Sequence, residues 1–219
     1  MPNAKTWRSA VQLRYNVGPL LYLRIIPTRA MLRLRDSEMT DLVFGIKLAP
    51  LNANTEGGGY LGRNPYGAIT YGFNRDVNVE HIITSSQLFA NRGLWGIDAT
   101  LFDESNKYID CVVFERTLDA GLRHYLQFAR EKLNIESPLV VEAGISRVKG
   151  FKMAMGNNTY GGPVYRPDIQ SRQTLRSFED SEIDSVLLAI FEEFFDAVGK
   201  HRPANFRGFP PIDQSGTGA

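Results

Sequence analysis

Between residues 68 and 115 the chain is cut into short β-prone runs, and this pattern does most to limit what it can fold into. Ala68–Phe73 alternates, with Ile69, Tyr71 and Phe73 set against Thr70 and Gly72. Ile82–Phe89, Gly93–Phe102 and Tyr108–Glu115 follow, separated by turn signals at Asn91-Arg92-Gly93 and Asp103–Lys107. Short runs at this spacing predict an antiparallel meander.

On either side the periods change. Pro19–Thr28 is rich in Leu, Tyr and Ile and reads as a strand closed by Pro27. Asp36 or Ser37 caps a short helix through Phe44, with Met39, Leu42 and Val43 on its apolar face. Pro50–Pro65 holds Gly57, Gly58, Gly59 and Gly62 and reads as a long loop. Asp119–Asn134 places Leu122, Leu126, Ala129 and Leu133 on one stripe, which predicts a helix. Leu139–Met155 reads as one or two strands broken near Lys149-Gly150. Ser177 opens a second long helix, with Ile183, Val186, Leu187, Ile190, Phe191, Phe194 and Val198 at helical spacing and Gly199 at its end. The expected fold class is therefore α+β: an antiparallel or mixed sheet of about five to seven strands with two main helices on one face.

A chain of 219 residues that is 43% hydrophobic, with 13 Phe and 9 Tyr, has enough apolar surface for one large core. The expected organisation is a basic arm at 1–16, a single α+β domain at 17–202 and a disordered tail at 203–219, where prolines give way to small residues. No apolar run approaches the roughly 18 residues that span a bilayer, so no membrane segment is expected. No secretory signal is visible, and Cys111 stands alone, which excludes an internal disulfide and favours a reducing, cytoplasmic setting.

Charge is segregated along the chain. Residues 1–35 carry Lys5, Arg8, Arg14, Arg24, Arg29, Arg33 and Arg35 and no acid. Residues 177–198 carry Glu179, Asp180, Glu182, Asp184, Glu192, Glu193 and Asp196 and no base, although the whole chain is only +1. Two explanations follow. Arg24, Arg29, Arg33 and Arg35 could meet the acidic face of the last helix as surface ion pairs. Alternatively, Arg8, Arg14, Arg24, Arg29, Arg33 and Arg35 could hold nucleic-acid phosphates, with Trp7, Tyr15 and Tyr22 as stacking platforms. The last helix is apolar over more than half its circumference, so Phe191, Phe194 and Phe195 sit either in the core or at a subunit interface.

Catalytic signatures do not assemble. Gly57-Gly58-Gly59-x-x-Gly62 is followed by Arg63-Asn64-Pro65, which lacks the Gly-Lys-Ser/Thr ending of a phosphate loop. His81, His124 and His201 are far apart, and no carboxylate or thiol stands at metal spacing beside two of them. His124 reads as solvated. No Gly-x-Ser-x-Gly elbow occurs, and Ser85-Ser86 and Cys111 fall in predicted strands. A metal-dependent hydrolase or nuclease would need Asp98, Asp110 and Glu115 to converge on a divalent ion. No catalytic residue, metal or cofactor is assigned.

Leu20–Thr28 (LLYLRIIPT), Asn64–Gly72 (NPYGAITYG), Gln87–Asp98 (QLFANRGLWGID) and Leu139–Met155 (LVVEAGISRVKGFKMAM) occur in a characteristic order. That order, across about residues 18–160, resembles the region after the DNA-binding domain in bacterial Schlafen/AlbA-like proteins. There a strand ending in a Pro-Thr/Glu step precedes a Gly-Leu/Ile-Trp element and a later strand with Gly-Tyr/Phe. The AlbA-like domain itself has no counterpart here, so no functional residue is carried over. The resemblance implies an accessory part of a protein of DNA-linked regulation or defence. The functional expectation is a non-enzymatic binding or assembly module of a bacterial intracellular protein, with a protein partner or self-association. Its alternatives are a nucleic-acid-binding protein and the metal-dependent hydrolase.

Overall fold

The structure, a computed structural model, describes residues 14–15, 18–46, 48–52, 60–73, 81–154, 160–203 and 209. Its main sheet is built from β1 (Arg14–Tyr15), β2 (Leu20–Pro27), β3 (Tyr60–Asn64), β4 (Gly67–Phe73), β5 (His81–Phe89), β6 (Leu94–Asp98), β9 (Leu139–Ser146) and β12 (Ile169–Leu175). The strand order is β12-β9-β2-β6-β5-β4-β3, antiparallel at every step, with β1 added in parallel to β5. A smaller sheet runs β11 (Tyr160–Pro163), β10 (Lys152–Ala154), β8 (Tyr108–Asp110), β7 (Phe102–Asp103). Three helices complete the fold: α1 (Asp36–Ile46), α2 (Cys111–Leu133) and α3 (Asp180–Asp196). The α+β class, the antiparallel sheet carrying two main helices and the short helix expected from Asp36 through Phe44 hold, and the second sheet is an addition to them.

Alternation decides which face of the sheet is dry. On β2, Leu21, Leu23 and Ile25 are buried, and on β9 so are Leu139, Val141, Ala143 and Ile145. Register brings these together: Leu21 faces Ile145, Leu23 faces Ala143 and Ile25 faces Val141. α2 lies on this face, where a Cβ on Gly121 would stand 3.5 Å from Leu23 and collide with Leu51. Gly96 of β6 is equally constrained, because a Cβ there would strike the Tyr125 hydroxyl. α3 packs on β12 and α2, and Met39 and Val43 of α1 join the same core. All three described helices thus cover one face. The other face carries a row that crosses the sheet at one register: Arg172, Glu142, Arg24, Trp95, Gln87 and Ile69.

The strand expected at Tyr108–Glu115 ends at Asp110, where α2 begins instead of at Asp119. Cys111-Val112-Val113-Phe114 is β-prone, but the Asp110 carboxylate accepts from the amides of Val112 (2.9 Å) and Val113 (3.1 Å) and caps a helix. The stripe Phe114, Leu118, Leu122, Tyr125, Ala129 is then fully buried, and tertiary burial overrides local propensity. Asp110→Ala is expected to lower stability by about 1 kcal/mol, with Asp110→Asn keeping most of it, as read by urea denaturation. α3 starts at Asp180 with Glu179 at its N-cap position, three residues after the expected Ser177. Gly199 has φ +67, as its place after the helix requires.

Other expectations change too. Part of the long Pro50–Pro65 loop is strand β3, with Gly62 paired to Ile69, while residues 53–59 lie outside the described residues. Within the basic arm, Arg14-Tyr15 pair with His81-Ile82, and 1–13 and 16 lie outside the described residues. In the tail expected to be disordered, Phe209 is buried with its ring 5.6 Å from Phe191, and 204–208 and 210–219 lie outside the described residues. No described helix is long and apolar enough to cross a membrane.

Candidate functional site

The arginines predicted to bind an anion take three different positions. Arg8 lies outside the described residues, and Arg14 contributes backbone to β1. Arg24 points away from the helices, because it alternates with Leu23 and Ile25. Its guanidinium rests over Trp95 (4.9 Å) and Tyr22 (5.6 Å) and meets Glu142 at 3.3 Å. Glu142 is almost fully buried and also accepts from Gln170 at 2.7 Å. Burial, then the Glu142 charge, raises the Tyr22 pKa. Arg29 pairs with Glu136 at 2.8 Å in solvent. So two of these cations are neutralised inside the chain, but not by the last helix. The acids of α3 instead find Arg123 of α2, which holds Asp180 and Asp119 at 2.8 Å and also pairs with Asp184.

Arg33 and Arg35 remain. They flank Leu34, in the segment ahead of α1, whose amide donates to the Ala90 carbonyl at 2.8 Å. Leu34 is buried in the core, and the arginines on either side of it are exposed. Neither forms an ion pair among the described residues. The acids nearest in sequence are taken: Asp36 pairs with Arg63 at 2.5 Å, and Glu38 accepts the Arg35 amide at 2.6 Å. Arg33 shares the wall of a cavity of about 310 Å³ with Tyr66, Phe89 and Asn91. Tyr66 is 69% exposed and Leu32 86%. Tyr66 sits in the turn between β3 and β4, where its backbone amide donates a hydrogen bond to Asn64 Oδ1 (2.9 Å). The sequence reading overlooked Tyr66, although Asn64-Pro65-Tyr66-Gly67 is the composition of a tight turn and leaves its central ring at the surface.

The three rings considered for an interface belong to the core. Phe191, Phe194 and Phe195 are each 0% exposed within the single chain. Phe114 packs 4.8 Å from Phe194 and 6.0 Å from Phe191. The broad apolar surface of α3 is consumed by β12 on one side and by α2 and Phe209 on the other, so it is not offered to a second subunit.

Groups with catalytic potential are held in structural bonds. Asp110 caps α2. Glu115 is fully buried and receives two hydrogen bonds from Arg202, at 2.7 and 2.9 Å. Asp98 accepts from the Thr100 amide (2.9 Å), the Thr100 hydroxyl (2.8 Å) and Asn52 (3.1 Å), and burial outweighs these bonds in raising its pKa. These carboxylates do not assemble, and no group of three metal-ligating side chains occurs among the described residues. His124 is not solvated: its Nε2 accepts the Ala49 amide at 3.1 Å, and burial lowers its pKa. Ser86 bonds the buried Tyr125 hydroxyl. Cys111 is buried at the start of a helix rather than in a strand, and burial pushes its thiol pKa far up, which makes it inert.

Compared with protein-family models, curated proteins and solved structures, the chain matches none.

Proposed function

We propose that the chain is a non-enzymatic binding module that docks an anionic macromolecule, single-stranded nucleic acid above all, at the end of the sheet carrying Leu32, Arg33, Arg35 and Tyr66. One observation carries this reading: Arg33 and Arg35 are exposed without an ion pair among the described residues, and Arg33 shares a cavity wall with the exposed Tyr66 ring. Arginine guanidinium binds phosphate without reading sequence, and a tyrosine face stacks on any base. Burial of Leu34 between them and its amide's bond to the Ala90 carbonyl tether the segment that carries both arginines. The separate fates of Asp98, Asp110, Glu115 and His124 argue against a hydrolase in the same terms. A binding role also suits an accessory part of a Schlafen/AlbA-like protein in DNA-linked regulation or defence.

Fluorescence anisotropy with a labelled single-stranded DNA at low salt tests the reading. Saturable binding that weakens steeply with added salt is expected. The double charge reversal Arg33→Glu/Arg35→Glu is expected to weaken it by about tenfold or more, and Tyr66→Ala by about 1–3 kcal/mol of stacking. No binding at low salt, or a charge-reversed variant that binds like the parent, sinks the proposal. A second reading, self-association through the same patch, is favoured by Leu32, whose exposure is the largest of any described apolar side chain. It predicts a dimer in light scattering that Leu32→Glu dissociates.

A further inference from the structure

On the helix-covered side of the sheet, a second cavity of about 620 Å³ opens between segment 49–52 and α2 and shares no lining residue with the cavity at Arg33. That volume is in the usual range for small-molecule sites. One stripe of α2 forms its floor: Val113, Arg116, Thr117, Ala120 and His124, at helical spacing. The opposite wall is anchored at both ends. Leu51 presses into the gap left by Gly121, and Asn52 is tied to Asp98 and Thr100, each at 3.1 Å.

The chemistry of the lining is one-sided. Among the described residues Arg116 is the only lining residue with a fixed charge, it is exposed, and it forms no ion pair. His124 accepts the Ala49 amide on Nε2, so that nitrogen carries no proton and the ring's N–H is on Nδ1, and burial lowers its pKa. Among the described residues no carboxylate lines the cavity, and Asp98 is hydrogen-bonded to Asn52 and Thr100. Asn52, Thr117 and Tyr125 add neutral polar groups, and Pro50, Leu51, Ala120 and the 41% exposed Val113 supply apolar wall.

We propose that this cavity binds a small organic anion with a flat apolar body, its acidic group held by Arg116 and its body lying against Val113, Pro50 and Ala120. A guanidinium with no ion pair among the described residues is placed to form charge-assisted, bidentate bonds to a carboxylate, sulfonate or phosphate. The apolar walls supply burial, and the anchored wall means that little ordering is needed on binding.

The test uses the full chain and the aromatic sulfonate 1-anilinonaphthalene-8-sulfonate, with the uncharged N-phenyl-1-naphthylamine as its matched body. Amide chemical shifts in an NMR titration with the sulfonate are expected to move saturably at 49–52 and 113–124. Arg116→Ala is expected to weaken the sulfonate by about tenfold and leave the neutral probe unchanged. Ala120→Phe, which fills the cavity from an exposed position, is expected to weaken both probes. Arg33→Glu/Arg35→Glu leaves both affinities as they were, so this site stands or falls separately from the nucleic-acid reading. Shifts centred elsewhere, equal affinity for the two probes, or an Arg116→Ala variant that binds the sulfonate like the parent overturns the assignment.

Discussion

Replacing Arg202 with methionine is expected to lower the stability of the chain by about 3–5 kcal/mol, among the largest effects available from one side chain. The partner left behind is the reason. Glu115 is 0% exposed and Arg202 only 6%, and the guanidinium reaches both carboxylate oxygens. The same guanidinium donates to the Phe209 carbonyl and lies over the Phe191 ring at 5.8 Å. Methionine fills similar space but leaves an uncompensated charge in the core. The double variant Glu115→Leu/Arg202→Met removes both charges and is expected to regain most of the loss.

The pH dependence of this variant has a definite sign. Burial raises the Glu115 pKa more than the hydrogen bonds and charge of Arg202 lower it. A carboxyl whose pKa is raised by folding makes the ionised form costly to the native state, and that cost is relieved as pH falls. Without Arg202 the rise is larger. The deficit of Arg202→Met relative to the parent is therefore expected to narrow between about pH 7 and about pH 5 in guanidinium denaturation. A deficit that stays constant or widens on acidification contradicts this account of the pair.

The second large effect is expected at Phe191. Truncation to alanine removes a ring that touches Phe114, Phe209 and Arg202, and the expected loss is about 3–5 kcal/mol. The oligomeric state is expected to stay as it is in light scattering, because the ring serves the chain's own core. A variant of near-parental stability that changes its association state would return Phe191 to an interface. Phe191→Ala and Arg202→Met share partners, so their effects are not expected to add.

Strands β2 and β9 were legible in the sequence because their core-facing residues, Leu21, Leu23 and Ile25 and Leu139, Val141 and Ile145, are strongly apolar and alternate. Strand β12 was not. It reads Ile169-Gln170-Ser171-Arg172-Gln173-Thr174-Leu175, and its central inward position is a serine opposite Ala143. Its strand character comes from pairing with β9, a partner more than twenty residues away. The start of α2 was hidden for the opposite reason: four β-prone residues follow a cap whose value depends on burying Phe114. At the candidate site, free and neutralised arginines look alike in a sequence. Arg24 meets a partner 118 positions away and Arg29 one 107 positions away.

Side-chain period, capping residues and the separation of charge are relations among near neighbours along the chain, and from these the α+β class, the sheet and the two long helices followed directly. Which cations stay free, which rings are sealed and where cavities open depend on strand order instead. The succession β12-β9-β2-β6-β5-β4-β3 places Glu142 beside Arg24 and sends Arg33 and Arg35 into solvent. Burial and electrostatic pairing are sums over everything nearby in space, and closing the sheet is what makes those residues neighbours.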